Sequence, residues 1–370
     1  MIAPHRAGWD ENVANPLPHS DFFVLALSGF LCLARLPCGR EATRGKNMRI
    51  SISALGCAIV GAMSCAPLIA APAKQQPVAI TFAVTADGKE VGCGAPLANL
   101  GNGHLTAKLH EGRFYVYNFN LIDVNGKRTP FALDQSEWQY GDVALLDFKD
   151  ARGGNAPCAQ ANPAKNAAVN GTVPAGSYVG LEFSVGAPVE TIVDGKSVPI
   201  NHSNVETAPP PLDIAGMAWN WQAGRRFLAF EIIPPSPVIK ADGSKSGTWM
   251  VHLGSTGCKG NPATGEIVSC AHENRFTVTF DRFNPKMQRV EFDLTRLFDS
   301  SDITADKGGA VGCMSALDDP ECPAIFTMLG LNLANTAPDA NDAGKQTRPG
   351  VSSVFKVGDV TPPKVVSVKR

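Results

Sequence analysis

The sequence has little charge and no excess of either sign. Its 370 residues carry 33 Lys+Arg against 34 Asp+Glu, a formal net charge of -1, and only 18% are charged, where globular domains average about 25%. No global basic field exists to attract nucleic acid, and no basic run or RNP-like strand supplies a local one. Catalytic signatures are missing too. The chain contains no H-E-x-x-H, no G-x-S-x-G and no Walker loop, which removes the common zinc hydrolases, serine hydrolases and P-loop enzymes. The Gly-Met-Ala triplet at 216–218 lacks a nucleophile. Asp339-Ala340-Asn341-Asp342-Ala343-Gly344 opens like a calcium loop, but its twelfth position falls on Gly350 instead of glutamate. A solvated loop is the better reading.

What is present argues for strands. Hydrophobic residues make up 44%, too many for a disordered chain. With 36 Gly and 28 Pro, many turns are favoured over long helices. Runs rich in β-branched and aromatic residues occur at 78–84, 113–121, 143–148, 178–185, 227–233, 249–253, 276–280, 290–294 and 351–357. Asp87-Gly88, Asn125-Gly126, Asp194-Gly195 and Asp242-Gly243 punctuate them as turns. Only 293–299 and 323–331 read as helical. The expectation is all-β: an elaborated β-sandwich with long disulfide-stapled loops and one or two short helices.

From Met48 the chain reads as a signal peptide. Arg49, with Arg44 and Lys46 upstream, makes a basic n-region, an apolar stretch follows, and Ala71-Pro72-Ala73 gives a small-residue exit. The expected organisation is therefore a segment over 1–47 that takes no part in the fold, either an N-terminal extension or sequence upstream of a true start at Met48, then a leader over 48–73 and a single β-sandwich domain over 74–370. The product is expected in the periplasm with no stable membrane span.

Cys32, Cys38, Cys57 and Cys65 precede residue 74, and six cysteines remain. An even count in an exported protein favours three disulfides. Cys258 and Cys270 stand 12 apart and Cys313 and Cys322 stand 9 apart. Each gap holds turn formers, and closing such a loop contributes about 3 kcal/mol in the chain-entropy model. Cys93 and Cys158 are left for each other. A zinc site would want C-x₂₋₄-C spacings, which are absent.

Five motifs occur in a fixed order: WQYGDVALLDF (138–148), VPINHSN (198–204), MAWNWQAGRRF (217–227), VHLGSTGC (251–258) and GCMSALDDPEC (312–322). Together they resemble the MbnP-like family, the metallo-mystery pair four-Cys motif proteins. The resemblance covers most of 90–333. It implies an exported, copper-associated protein that is not an enzyme, partnered by a dihaem cytochrome c peroxidase-like protein of the MbnH type. The MopE and CorA copper proteins are similar in function, and in them a tryptophan oxidised to kynurenine joins histidines at copper. One departure lies in 223–226, AGRR, where members often place a tyrosine after the glycine.

The residues bear on this directly. His5 and His19 fall in the excluded segment, His104 and His110 flank a strand start, and His272 follows Cys270. His202 and His252 stand inside two of the motifs and are the expected copper ligands; imidazole is the ligand left once thiols are paired. Trp219 and Trp221, two apart, would project from one face of a strand and are the candidates for oxidation, Trp138 and Trp249 less so. Ring opening gives an aryl amine, a metal ligand that indole is not. Met217 is a soft thioether whose ordinary place is the core. Two other classes remain: a carbohydrate- or surface-binding β-sandwich with exposed tryptophans, and a copper oxidase or monooxygenase. Lys74, first after the leader, is not the N-terminal histidine that some monooxygenases need.

Overall fold

Apolar side chains alternating along extended segments set the principal strands. In chain order they are β1 (Gln75–Ala86), β2 (Leu105–Asp123), β3 (Val143–Asp147), β4 (Ala168–Pro174), β5 (Tyr178–Val185), β6 (Leu228–Ile233), β7 (Trp249–Leu253), β8 (Thr256–Asn261), β9 (Glu266–His272), β10 (Phe276–Phe280), β11 (Gln288–Asp293), β12 (Gly312–Cys313) and β13 (Phe355–Asp359), with further strands between. The computed structural model describes residues 73–149, 158, 165–219, 224–261, 266–333 and 340–360. The extension over 1–47, the leader up to residue 72, and Trp221 lie outside the described residues. Among those described, no helix is long and apolar enough to cross a membrane.

One sheet runs β13-β11-β1-β4, with β1 parallel to β11 and its other pairs antiparallel. The second runs β10-β5-β2-β6-β7-β12, with β3 also pairing along the long β2. Phenylalanines join the two faces. Phe82 of β1 meets Phe183 of β5 edge-on at 5.4 Å, and Phe292 of β11 stacks on Phe230 of β6 at 4.9 Å. Each such ring removes roughly 150–250 Å² from water, so the seam between the sheets is the main apolar store. The fold is all-β, as its strand-like runs imply.

Both short helices form where the sequence places them. Asp293 caps α1 (Leu294–Phe298), its carboxylate accepting from the N–H groups of Thr295 and Arg296. The second, α2 (Cys322–Leu329), ends at Gly330 in the left-handed region, φ 72°. Three disulfides join Cys93 to Cys158, Cys258 to Cys270 and Cys313 to Cys322. The second links facing residues of the β8–β9 hairpin, and the third ties β12 to the first residue of α2.

Two local expectations are corrected. The strand expected over 351–357 starts later, at Phe355, because the Ser352 hydroxyl accepts from the N–H groups of Val354 and Phe355 and turns the chain first. Trp219, expected on a strand, lies outside every strand. After a 3-10 turn at Ala215–Met217, residues 217–219 pair with 224–226 through an antiparallel bridge of Ala218 to Arg225, with Arg226 N–H on Met217 O at 2.9 Å and Trp219 N–H on Gly224 O at 2.8 Å. This local pairing leaves Trp219 outside the sheets.

Candidate functional site

A carboxylate on β6 organises the first half of the site. Glu231 sits directly opposite Met250 of β7 and Glu111 of β2, while His252 pairs with Ala229. Side chains two apart on a strand share a face, so Glu231 and His252 are diagonal neighbours, and His252 Nε2 donates to Glu231 Oε1 at 2.8 Å. The register of β2 on β6 skips His110: Glu231 faces Glu111 and Ile232 faces Leu109. His110 is thus the extra residue of a bulge, a device that re-aims a side chain, and its Nδ1 donates to Glu231 Oε2 at 2.7 Å.

Two carboxylates facing each other across a ladder would repel. Here each has its own cations or donors. Glu111 is held by the Arg113 guanidinium at 2.8 Å and by Lys149 at 3.2 Å, and Glu231 by the two imidazoles. Burial pushes the Glu231 carboxyl up, but the hydrogen bonds and charge of His252 and His110 outweigh it and hold it at about 2. An ionised carboxylate can only accept. The His252 nitrogen facing it, Nε2, therefore carries a proton, and in the neutral ring Nδ1 holds the lone pair, with Arg226 Nη1 3.5 Å away.

Beside His252 opens a cavity of about 710 Å³, lined also by Trp219, Arg226, Lys307, Met314 and Asp319. Trp219 is 5% exposed, so it is no open stacking platform for a sugar. Its indole lies against the end of β7: a Cβ added at Gly254 would fall 2.5 Å from Trp219 Cζ3, and only glycine permits that approach. The Gly254 N–H donates to the Ser315 hydroxyl, which in turn donates to His252 O at 2.8 Å. Three of the sequence motifs thereby meet around one indole. Trp249 is a core residue, packed on Phe298 with its N–H on Ala305 O, and Met217 is fully buried.

His202 is elsewhere. It lines a separate small pocket with Asn201, Ser255, Cys270, Glu273 and Arg275. Its Nε2 lies 3.6 Å from Cys270 Sγ, and the ligand atoms of His202, Cys258 and Cys270 all fall within 4.8 Å of one another. The two sulfurs are bonded to each other, so in this state they are not thiolates. The expectation of one site containing both imidazoles is therefore not met: His252 lines the larger cavity and His202 the small one. Gly224 approaches His202 so closely that a Cβ there would sit 3.1 Å from its Nε2.

Burial first, then the positive charges of Arg225 and Arg275, lower the His202 pKa from 6.5 to about 4. The unfolded chain therefore takes up this proton before the folded one does. Stability is complete above pH 6.5 and is lost as pH falls toward 4, by up to about 3 kcal/mol. Thermal melts of the metal-free protein across this window are expected to show the loss in the wild type and much less of it in His202→Asn. Equal slopes would contradict it.

The sequence profile of the MbnP family matches residues 75–315. Among solved structures, MbnP from Methylosinus trichosporium is similar, at 74% identity and a TM-score of 0.74, over 78% of this chain and 100% of that one. The chain belongs to the MbnP family. No curated protein matches it. The MbnP span contains His110, Trp219, Glu231 and His252 and closes at Ser315, the residue that clamps His252 O; α2 and β13 lie beyond it. Sequence reasoning missed Glu231, Arg226 and Met314 and gave His110 no role. Only the ladder register could reveal them, since Glu231 is separated from His110 by 121 residues and from His252 by 21.

Proposed function

We propose that this MbnP-family protein is an exported, non-catalytic copper-binding protein whose metal is held at the His252 end of the cavity. The observation that carries the reading is the Glu231–His252 hydrogen bond: a carboxylate fixes one ring nitrogen and leaves the other for a metal, the arrangement that commonly supports histidine ligands. Met314 adds a thioether to the same cavity, a donor suited to Cu(I). The donor set fits a soft ion once a third ligand is supplied. Trp219 supplies it after oxidation to kynurenine, when its pyrrole ring opens to an aryl amine and a ketone. Copper would bring there a soft Lewis acid held for storage or transfer. Arg226, 3.5 Å from Nδ1, must swing aside for the ion.

A dihaem peroxidase-like partner is the proposed catalyst of that oxidation: two equivalents of hydrogen peroxide take four electrons from the indole and open it to the N-formyl ketone, and hydrolysis then releases the lost carbon as formate. Because the Trp219 indole is almost fully enclosed, its electrons leave through the protein without direct contact with haem. Three disulfides support an oxidising compartment, in keeping with a leader over 48–73 and a periplasmic location. The test is co-expression with and without the partner. With it, the protein is expected to carry copper, and the tryptic peptide containing 217–225 should gain one oxygen and lose one carbon at Trp219. Trp219→Phe should abolish both. Intact indoles and no copper in the co-expressed protein would refute the reading.

A further inference from the structure

We propose that His202 and the Cys258–Cys270 pair form a second, redox-gated metal site: a structural bridge when oxidised, and a Cys₂His site for a thiophilic d¹⁰ cation such as Zn²⁺ or Cu⁺ when reduced. The inference stands apart from the His252 cavity and holds whether or not that cavity takes copper.

Spacing is the first argument. With metal–sulfur bonds of about 2.3 Å and metal–nitrogen bonds of about 2.0–2.1 Å, a tetrahedral ion places neighbouring sulfur and nitrogen roughly 3.5 Å apart. His202 Nε2 lies 3.6 Å from Cys270 Sγ. The imidazole already stands where a ligand would, and only the two sulfurs must part. Among the described residues, no other group of His, Cys, Asp and Glu brings three ligand atoms within 4.8 Å of one another. The other two disulfides have no such histidine.

The surroundings hold the three donors in place after reduction. Cys258 and Cys270 face each other across the β8–β9 ladder, so its hydrogen bonds keep the two thiols side by side without the bridge. Next to His202, the Asn201 Oδ1 accepts the Arg225 N–H at 3.0 Å and the Asn201 amide donates to the Ser255 hydroxyl at 3.4 Å. A side chain at 224 would press on the imidazole, and glycine there leaves it room. Both cysteines are half-buried, at a pocket that Ser269 and Glu273 also line. A dithiol can reach them, and Glu273 or water can complete the coordination.

The chemistry balances with a dithiol as reductant. Its thiolate attacks one sulfur of the bridge, the Cys258–Cys270 bond breaks, and the reductant's second thiol resolves the mixed disulfide. The reductant leaves as a disulfide, having given two electrons and two protons to the cysteines. Binding of the cation releases those two protons to solvent.

Cadmium is the probe, since its thiolate bonds absorb in the ultraviolet. The purified chain would be reduced anaerobically with a phosphine, freed of reagent and titrated with Cd²⁺, with alkylation mapping to report which cysteines opened. Before reduction no cadmium–thiolate absorption is expected; afterwards one Cd²⁺ should bind with Cys258 and Cys270 protected from alkylation. His202→Ala, which keeps the bridge and so the fold, should weaken that binding roughly tenfold or more. The Cys258→Ser/Cys270→Ser variant should remove it. Equal cadmium affinity in wild type and His202→Ala overturns the proposal. So does a bridge that opens only as the near-ultraviolet circular dichroism of the folded protein is lost.

Discussion

Arg225→Ala is expected to destabilise the protein by about 2–4 kcal/mol, a fall in Tm of roughly 5–10 °C. The guanidinium is 1% exposed. It donates through Nη1 to Ser203 O at 2.9 Å and through Nη2 to the Ser203 hydroxyl at 2.9 Å and Leu212 O at 2.7 Å. Each hydrogen bond from a charged donor contributes about 1.5–3 kcal/mol, and alanine would leave buried acceptors unpaired beside a hole. The net loss is smaller than their total because the buried cation is itself costly: burial lowers the Arg225 pKa, with the Tyr115 hydroxyl opposing the shift. Arg225→Lys should rescue little, since an ammonium cannot span Ser203 and Leu212 at once. Denaturant melts decide the matter, and wild-type stability in Arg225→Lys would show that the fork is not what braces the 201–213 loop.

Glu231→Gln is expected to lower copper affinity about 10–100-fold with the fold retained. A glutamine oxygen can accept from one imidazole, but its amide then turns N–H toward the other. The His252 tautomer is no longer fixed, and Nδ1 loses its guaranteed lone pair. The sign of the pH dependence follows from the depressed carboxyl. Its contribution is complete above the ordinary value of 4.5 and is lost as pH falls through about 2. The deficit of the variant should therefore be constant near neutrality. Competition with a Cu(I) chelator, using protein co-expressed with the proposed peroxidase-like partner, measures the change. Identical affinities would remove Glu231 from the site.

Much of the framework was legible without coordinates. The runs at 178–185, 249–253 and 276–280 reappear as β5, β7 and β10, and DLTRLFD becomes a capped helix because Asp293 stands just before it. The cysteine spacings anticipated the pairs that form. The site was legible only in part. His252 and Trp219 line one cavity as the motifs suggested, whereas His202 lies in another. Trp219 misled because an aromatic pair at spacing two has strand character locally, while the backbone of 217–219 pairs with 224–226 and joins no sheet. The departure at 223–226 also reads differently in three dimensions: Arg225 braces the neighbouring loop and Arg226 attends His252.

Sequence by itself determined what depends on near neighbours: strand character, turns, helix caps and the closure of short cystine loops, each governed by propensity or by a few residues of chain. Tertiary structure decided which acid meets which imidazole. That choice rests on the register of β2 on β6 and β6 on β7, and on a bulge that adds His110 to one side of a ladder. Register is set by how both faces of the sheets pack, Phe230 against Phe292 beneath and Glu231 between two histidines above. A one-residue slip would send every one of these side chains to the opposite face.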